Sequence, residues 1–402
     1  MSQQSPVQFQ LSASSTFSEL AELSPLTVGS SEVLGFLKKL SEKLLRSPEF
    51  KPFPEIIALG FWLRDSQVRI WLDMLAKESE GAIIKPVGCV VHYTPNNVDS
   101  MFMYSWVCSL LVGNNNIVRL GSADSQAKSL LLEVLTSLFK QAEFSAIAQR
   151  NMFIQFDKQS SLNKDLALFA DARMLWGGDE SVRAIREFST KPRCRDISFA
   201  DRYSATIIDV DDNEPALLDK TAQLLWHDTK AHNQLACSSP RVIYWMGSET
   251  SLLAFSQRLN AIAQKSDSSE QRKTGQSRCN EHLVVAQLLQ MQGIAGRSLI
   301  NERVCVLSMP SVSAEAMAQH SGDGLFYAVK INSVEALRSQ LPDSVQTLTY
   351  WGVAKDQLLK LLAEPSIQGV DRCVSLGKAL SFTPEWDGYR LFTLLTRHIN
   401  LD

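Results

Sequence analysis

Residues 88–120 have the sequence GCVVHYTPNNVDSMFMYSWVCSLLVGNNNIVRL, and this stretch decides the fold. Its β-branched start predicts a strand over 88–93, followed by a turn at 94–97. An apolar run then predicts a helix over 98–112, and a second β-branched run predicts a strand over 116–120. A strand, a helix and a second strand with short connections are typical of a parallel sheet covered by helices.

The same alternation continues after this stretch. Further elements are predicted as helices over 125–140, 161–169 and 180–188 and as strands over 152–156 and 173–176. Right-handed crossovers place the loops that follow each strand along one edge of the sheet, where nucleotides bind. A second alternating region begins with a strand over 204–210. We therefore expect an α/β protein with two α/β domains.

The composition is that of an ordinary globular protein. Hydrophobic residues make up 45% of the 402 residues and charged residues 21%, enough for large cores and for two or three domains. Lys and Arg number 40 against 43 Asp and Glu, which gives a net charge of -3 without a basic block. A nucleic acid is therefore not expected as a partner.

The cysteine pattern and the N-terminus indicate a cytoplasmic protein. The seven cysteines contain no CxxC pair, so neither a disulfide framework nor a zinc site is expected, and no metal is predicted. The N-terminal residues MSQQSPVQFQLSASS lack the apolar segment of a secretory signal. The apolar run over 100–113 is too short to span a bilayer.

Cys237 stands in a turn between two predicted elements. In HDTKAHNQLACSSPRVIYWM, residues 227–246, a helix-like run ends at 231–234 and a strand is predicted over 241–245. A cysteine between Ala and Ser in such a turn is held by the fold and stays open to a carbonyl carbon, as a covalent nucleophile requires. A small buried apolar role is the alternative. His227 and His232 are candidate bases, although closeness in sequence does not establish contact.

Two loops of the first region hold further candidates. In LWGGDESV, residues 175–182, a strand runs through Gly177 and Gly178 into a helix, and small residues there let a pyrophosphate approach the helix N-terminus. The segment is not GxGxxG, and glycines at such turns are often structural. Asn97 can donate its side-chain amide to a developing oxyanion, although Asn in a turn is often there for its backbone tolerance.

Taken in order, these segments resemble the aldehyde dehydrogenase superfamily. They resemble more closely the LuxC-like fatty acyl-CoA (acyl-protein thioester) reductases of bacterial bioluminescence and their relatives. The resemblance runs from about residue 80 to the C-terminus. Six segments carry it: PVGCVVHYTPNNV (86–98), LLVGNNNIVRLGS (110–122), LWGGDESVRAIR (175–186), ISFADRYSATII (197–208), ACSSPRVIY (236–244) and VDRCVSLGKALSFTPEWDGY (370–389). It implies an aldehyde dehydrogenase-like fold with a doubly wound, Rossmann-type cofactor domain and an α/β catalytic domain.

The resemblance also implies roles for single residues. Cys237 matches the acyl-accepting thiol, and Asn97 matches the amide that forms the oxyanion hole with the Cys237 N–H. The implied cofactor residues are Pro95 and Asn96 beside the nicotinamide, Arg119 and Ser122 near the adenosine ribose, and Gly177, Gly178 and Val182 under the diphosphate. Phe382 and Trp386, in the aromatic tail, are candidates for the wall of an acyl tunnel or for a core.

Two departures from the superfamily pattern bear on the chemistry. Ser122 stands where many NAD-using members carry an acid that binds the ribose, so a 2′-phosphate beside Arg119 is favoured and NADPH is expected; Gly121 departs from the usual Pro. The hydrolytic glutamate is absent from the aligned segment 198–203, so water attack on an acyl-enzyme should be slow. Asp201 is expected to be ion-paired with Arg202, and Asp323 is the nearest candidate for the second superfamily glutamate.

These observations predict an NADPH-dependent reductase that converts a long-chain fatty acyl thioester into the aldehyde through acyl-Cys237. The donor is an acyl-CoA or an acyl-protein, with acyl-protein synthetase or transferase partners, and self-association is expected by analogy. Two alternatives stay open: a CoA-acylating aldehyde dehydrogenase that works oxidatively, and an acyl carrier or transferase without redox activity. The expected domains are 1–210, with N-terminal helices and the NADP-binding domain; 211–365, with the nucleophile; and 366–402, which returns to the active site.

Overall fold

The structure is a computed structural model that describes residues 7–13, 16–210, 214–267 and 275–400. The chain separates into two compact units. The first unit contains Met1–Asp201 together with Phe382–Asp402, and the second contains Arg202–Ser381.

Between residues 89 and 199 the first unit alternates strands and helices, as the sequence predicts from residue 88 onward. Its strands are β1 (Gln8–Leu11), β2 (Ala82–Pro86), β3 (Cys89–Tyr93), β4 (Asn115–Arg119), β5 (Asn151–Gln155), β6 (Ala172–Trp176) and β7 (Arg195–Phe199). Its helices are α1 (Phe17–Glu22), α2 (Ser31–Arg46), α3 (Pro54–Trp62), α4 (Asp65–Glu78), α5 (Met101–Leu111), α6 (Gln126–Phe139), α7 (Ser145–Ala148), α8 (Leu162–Phe169) and α9 (Asp179–Arg186).

The first sheet is doubly wound. Its strand order is β1-β5-β4-β3-β6-β7, in which β3 to β7 are parallel and β1 is antiparallel to β5. From β3 the chain proceeds outward to β4 and β5 on one side, and then to β6 and β7 on the other. Such a reversal of strand order creates a crevice at the carboxyl ends of the two central strands, where α/β proteins bind ligands.

Alternating side chains of the first sheet fill two cores. Val90 of β3 belongs to a cluster with α5, whereas Cys89 and Val91 belong to a second cluster with Leu166 of α8. Successive side chains of a strand point to opposite faces, so these clusters cover the two faces of the sheet. Helix α5 is buried over nearly its whole surface, which explains its continuous apolar sequence.

A buried polar network fixes α5 against the sheet. His92 of β3 has Nδ1 2.8 Å from Ser105 Oγ of α5 and Nε2 3.1 Å from Asn116 Oδ1 of β4. Trp176 Nε1, at the end of β6, donates to Ser105 Oγ at 3.0 Å. Burial lowers the pKa of His92 to about 4, so the ring is neutral. The network connects β3, β4 and β6, and the loops that follow these three strands contain candidate site residues.

The second unit carries its own seven-stranded sheet. Its strands are β8 (Tyr203–Ile208), β9 (Pro240–Trp245), β10 (Ser298–Ile300), β11 (Cys305–Met309), β12 (Leu325–Lys330), β13 (Val345–Trp351) and β14 (Arg372–Ser375). Its α-helices are α10 (Pro215–Lys230), α11 (Glu249–Ser266), α12 (Gly275–Met291), α13 (Ala314–Ala318) and α14 (Lys355–Leu362). The strand order is β10-β11-β12-β9-β8-β13-β14, and the strands other than β10 are parallel.

The C-terminal segment belongs to the first unit. It contains β15 (Glu385–Trp386), β16 (Tyr389–Arg390), α15 (Leu391–Leu394) and β17 (Thr396–Asn400). Strand β17 pairs antiparallel with β2, and Arg195 of β7 donates to the carbonyls of Leu394 and Thr396 at 2.7 Å. These bonds tie the chain end to the first sheet.

The units are divided differently from the expected domains. Strand β8, expected within 1–210, pairs with β9 and β13 of the second sheet, so the second unit begins at Arg202. The expected segment 366–402 is split at Phe382, because β14 pairs with β13 while β17 pairs with β2.

Candidate active site

Cys237 lies in a short turn at the amino edge of the second sheet, three residues before β9 begins. Its side chain is a half-buried, reduced thiol. Ser204 Oγ of β8 donates to the Cys237 carbonyl at 2.7 Å, and the Ser239 N–H donates to the Ala236 carbonyl at 3.0 Å. The backbone on both sides of the sulfur is therefore fixed, as a nucleophile requires.

The residues before Cys237 adopt a conformation that side chains rarely take. His232, Asn233 and Gln234 follow one another with φ of 54°, 51° and 63°. Such left-handed residues cost about 1–2 kcal/mol each and persist where the surroundings hold them. The helix predicted to continue to residue 234 therefore ends with α10, and a left-handed turn connects this helix to Cys237.

Gln234 holds this strained segment. Its fully buried side chain donates to the carbonyls of Pro240 and Leu325 at 2.9 Å, and its oxygen accepts the Gly324 N–H at 2.8 Å. These bonds join the Cys237 turn to β9 and to the start of β12. Sequence reasoning did not single out Gln234 or Ser204, because both act through backbone groups that are distant in sequence.

The other cysteines are less suited to attack. Burial raises the pKa of five of them: Cys89 and Cys305 to about 12, Cys194 and Cys373 to about 11, and Cys108 as well. The thiolate is the nucleophilic form, so these thiols stay protonated and inert. Cys279 is half-buried and lies on α12, with its Sγ 3.9 Å from the Asn301 carbonyl oxygen.

The two candidate bases lie on different parts of the second unit. His227 is on α10 and is largely exposed, and partial burial together with Lys230 and Lys378 lowers its pKa. His232 is half-buried in the left-handed turn. A Cys–His dyad stays a prediction for both.

The first unit gathers most of the expected cofactor residues at one edge. The loops at 94–97, 120–122 and 177–178 follow β3, β4 and β6, which are adjacent in the order β4-β3-β6. The carboxyl ends of parallel strands meet at one edge, so these loops flank the crevice where the strand order reverses. The residues brought to this edge are Pro95, Asn96, Asn97, Arg119, Ser122, Gly177 and Gly178.

The turn that contains Asn97 packs on the loop after β4. Thr94 Oγ1 donates to the Arg119 carbonyl at 2.9 Å. A Cβ added at Gly121 would overlap Asn96 Oδ1 and lie 2.9 Å from the Pro95 carbonyl oxygen. This close approach accounts for glycine at a position where the superfamily usually has Pro.

Arg119 offers an unused donor at this edge. Its side chain is buried, Nη2 donates to the Phe156 carbonyl at 3.2 Å, and the guanidinium lies 5.0 Å from the centroid of the Phe156 ring. Nε has no hydrogen-bond partner among the described residues. Buried donors are nearly always paired, so an orphaned guanidinium N–H fits an anionic or hydroxyl-bearing ligand. Ser122, three residues on, is exposed.

The helix after Gly177 and Gly178 is already capped by an acid. Asp201 Oδ2 accepts the Asp179 N–H at 3.2 Å, and the Asp201 N–H donates to Asp179 Oδ1 at 3.1 Å. Asp179 and Glu180 add two more acids to the first turn of α9. Negative charge at a helix N-terminus competes with a bound diphosphate, so this end of the site fits the cofactor less well than Arg119 does.

Three expected ligand residues are buried in the first unit. Val182 of α9 is 6% exposed and belongs to the hydrophobic cluster that includes Leu175. Phe382 and Trp386 have ring centroids 4.8 Å apart, and Phe382 lies 4.7 Å from the ring of Tyr104. These positions satisfy a core role, and a cofactor contact or a tunnel wall stays a prediction.

The two acids considered as replacements for the missing glutamates are engaged elsewhere. Arg202 pairs with Asp371, Asp201 serves as the cap of α9, and the expected Asp201–Arg202 ion pair stays a prediction. Asp323 accepts from Arg278 Nε at 2.6 Å and from Arg303 Nη2 at 2.8 Å. Its charge is used inside a buried ion network of the second unit.

Two further observations concern membranes and metals. Across 7–13, 16–210, 214–267 and 275–400, the structure contains no helix both long and apolar enough to cross a bilayer. Within those same ranges, no group of three His, Cys, Asp or Glu side chains is arranged to hold a metal ion.

Comparison with known proteins identifies similar sequences. The family model of the acyl-CoA reductases (LuxC) matches residues 67–398. A long-chain acyl-protein thioester reductase from Photorhabdus luminescens is 29% identical over 185 residues, 44% of this chain and 36% of that protein. A protein of the same description from Aliivibrio fischeri is 25% identical over 166 residues, 40% of this chain and 33% of that protein. The matched segments thus span about a third of the length of these relatives.

Solved structures support the expected fold. Aldehyde dehydrogenase 21 from Physcomitrella patens superimposes with a TM-score of 0.66 at 10% sequence identity, over 94% of this chain and 86% of that chain. At this identity the likeness concerns the fold alone. It confirms the predicted aldehyde dehydrogenase-like architecture.

Proposed function

Because this chain belongs to the LuxC family of acyl-CoA reductases, we propose that it reduces a long-chain fatty acyl thioester to the aldehyde with NADPH. Relatives described as long-chain acyl-protein thioester reductases support this reaction. The observation that carries it is Cys237, which stands in a fixed, half-buried turn, while burial keeps five other thiols protonated.

Cys237 acts first as the nucleophile. Its thiolate attacks the carbonyl carbon of the donor thioester, and the tetrahedral adduct expels the donor thiolate to leave acyl-Cys237. The resemblance assigns oxyanion stabilisation to the Asn97 amide and the Cys237 N–H. After reduction of the acyl carbonyl, the thiohemiacetal oxygen loses its proton, the C–S bond breaks, and aldehyde leaves while Cys237 returns as thiolate.

A nicotinamide cofactor, when bound, supplies the hydride for the reduction. Arg119 and Ser122 are the residues proposed to hold its adenosine ribose, because Arg119 Nε is an unused buried donor and Ser122 brings no negative charge. The neutral Ser122 favours the 2′-phosphate of NADPH over NADH. Pro95 and Asn96 are proposed to lie beside the nicotinamide.

The acyl-enzyme is proposed to persist until it is reduced. The segment aligned with the hydrolytic glutamate, 198–203, contains Asp201 as its acid, and Asp201 caps α9. Without a base to activate water, hydrolysis of acyl-Cys237 is slow. The donor is proposed to be an acyl-CoA or an acyl-protein delivered by a synthetase or transferase, in the cytoplasm, to a self-associated enzyme.

An aldehyde assay tests this proposal. Purified protein is mixed with acyl-CoAs of increasing chain length and with NADPH or NADH, and aldehyde is measured by gas chromatography. We expect aldehyde with NADPH and a long-chain donor, and its loss in Cys237→Ser. Cys279→Ser, which changes another half-buried thiol of the second unit, serves as the matched control and should keep activity.

Two outcomes would contradict the proposal in different ways. Acyl transfer to a second thiol without cofactor, and without aldehyde, would support the transferase alternative. Acyl-CoA formation from aldehyde, CoA and oxidised cofactor, without the reverse reaction, would support the oxidative alternative.

A further inference from the structure

Arg372 and Cys237 lie at the same edge of the second sheet. Arg372 begins β14, opposite Thr347 of β13, and β13 in turn pairs with β8. Ser204 of β8, which binds the Cys237 carbonyl, is near the start of its strand as well. Because these strands are parallel, their starts form the amino edge, and β8 and β14 are two strand spacings, about 10 Å, apart.

The guanidinium of Arg372 is held in place by the turn that follows β14. Nη1 donates to the Ala379 carbonyl at 2.6 Å, and Nη2 donates to the carbonyls of Lys378 and Ser381 at 2.9 and 2.7 Å. A planar guanidinium with three such bonds has little freedom to turn away. Its positive charge is therefore fixed relative to the sheet edge.

Asp228 of α10 holds the same turn from the other side. Its carboxylate has no exposed surface and accepts the Gly377 N–H at 2.6 Å and the Ala379 N–H at 3.1 Å. The turn thus joins a buried acid to the arginine. Asp228 is nine residues before Cys237 in the chain.

The Arg372 guanidinium and the Cys237 sulfur interact electrostatically. Burial lowers the pKa of the Arg372 guanidinium, while the negative charges of Asp228 and Cys237 counteract this effect. Such an interaction is mutual, so a thiolate that stabilises the cation is stabilised by it to the same extent. The VDRCVSLGK segment that contains Arg372 had no chemical role in the proposed reaction.

We propose that Arg372 is a positioning residue for Cys237: the fixed positive charge of the guanidinium stabilises the Cys237 thiolate. The proposal rests on the proposed function in that Cys237 is taken as the nucleophile.

The neighbouring charges do not replace Arg372. Asp371, beside it in the chain, is paired with Arg202. Lys230, on α10, and Lys378, in the turn, lie near His227 and lower its pKa. Lys378 also lies near Asp228. The negative charge of Cys237 acts on Arg372 itself.

Alkylation of Cys237 tests the proposal without substrate or cofactor. The full-length protein is treated with iodoacetamide from pH 5 to 10, and the Cys237 peptide is quantified by mass spectrometry. In Arg372→Gln we expect the apparent pKa of Cys237 to rise by about one unit or more, so that alkylation at pH 7 slows about tenfold. Arg338→Gln, which breaks an arginine–carboxylate pair elsewhere in the same unit, should keep the wild-type profile.

If thermal unfolding shows that Arg372→Gln does not fold, a second variant tests the proposal. Arg372→Lys keeps a charge but cannot reproduce the three carbonyl bonds, so we expect the apparent pKa of Cys237 to rise by about half a unit. A folded variant of either kind with the wild-type profile would overturn the proposal. Failure of the aldehyde assay with a normal Arg372 effect would instead count against the proposed function.

Discussion

At the level of single residues, the turn that holds Cys237 contains residues in unfavourable backbone conformations. Three successive left-handed residues, 232–234, are unfavourable. They are held by one buried amide, Gln234, whose three bonds reach β9 and β12. Strain that is held in this way keeps the sulfur in place before substrate arrives.

Asp228 makes stability depend on pH in a specific direction. Burial raises its pKa from 3.8 to about 7, so the folded state keeps a proton that the unfolded state has lost. Its stabilising contribution is therefore complete below about pH 4 and is lost as pH rises to about 7. In Asp228→Asn, the free energy of unfolding measured in urea should not show this loss. Its slope against pH should differ from that of the wild type by up to about 1.4 kcal/mol per pH unit. Parallel curves for the two proteins between pH 4 and 7 would show that Asp228 titrates normally.

Sequence could predict some of these residues and not others. Cys237 is recognisable because it stands in a turn between two periodic elements and within a motif of the resemblance. Gln234 and Arg372 act through carbonyls and N–H groups brought by the fold, in the case of Gln234 from 91 residues away. No local pattern encodes such contacts, so these residues required the structure.

At the scale of elements, the strand–helix alternation was predictable, but which strands pair with one another was less predictable. The apolar periodicity of 88–120 gives β3, α5 and β4 within a few residues. Strand β8 has the same local pattern as its neighbours, yet it pairs with β9 and β13. Which sheet a strand joins depends on long-range packing, so the expected boundary near 210 differs from the observed one at Arg202.

The capped N-terminus of α9 gives a test of where the cofactor diphosphate binds. Asp201→Asn keeps an oxygen that accepts the Asp179 N–H but removes a charge. If the diphosphate lies at this helix, the KM for NADPH should fall about threefold or more at low salt, with kcat unchanged. Asp165→Asn, at an exposed acid of α8, is the matched control. An unchanged KM in Asp201→Asn would place the diphosphate elsewhere.

For the whole molecule, the chain end explains why the first unit is discontinuous. Strand β17 pairs with β2, more than 300 residues earlier (Asn400 opposite Ala82). Phe382 and Trp386 also join the aromatic cluster of that unit. The sequence shows that this tail is aromatic, but the strand and the cluster that it packs against depend on contacts across the full length of the chain.

The central claim is that Cys237 carries the acyl group, and one measurement tests it most directly. The protein is incubated with a radiolabelled long-chain acyl-CoA in the absence of cofactor, digested, and the labelled peptide is sequenced by mass spectrometry. The account predicts label on the peptide that contains Cys237, and its release as aldehyde when NADPH is added. Label on another cysteine, or equal labelling of Cys237→Ala, would contradict it.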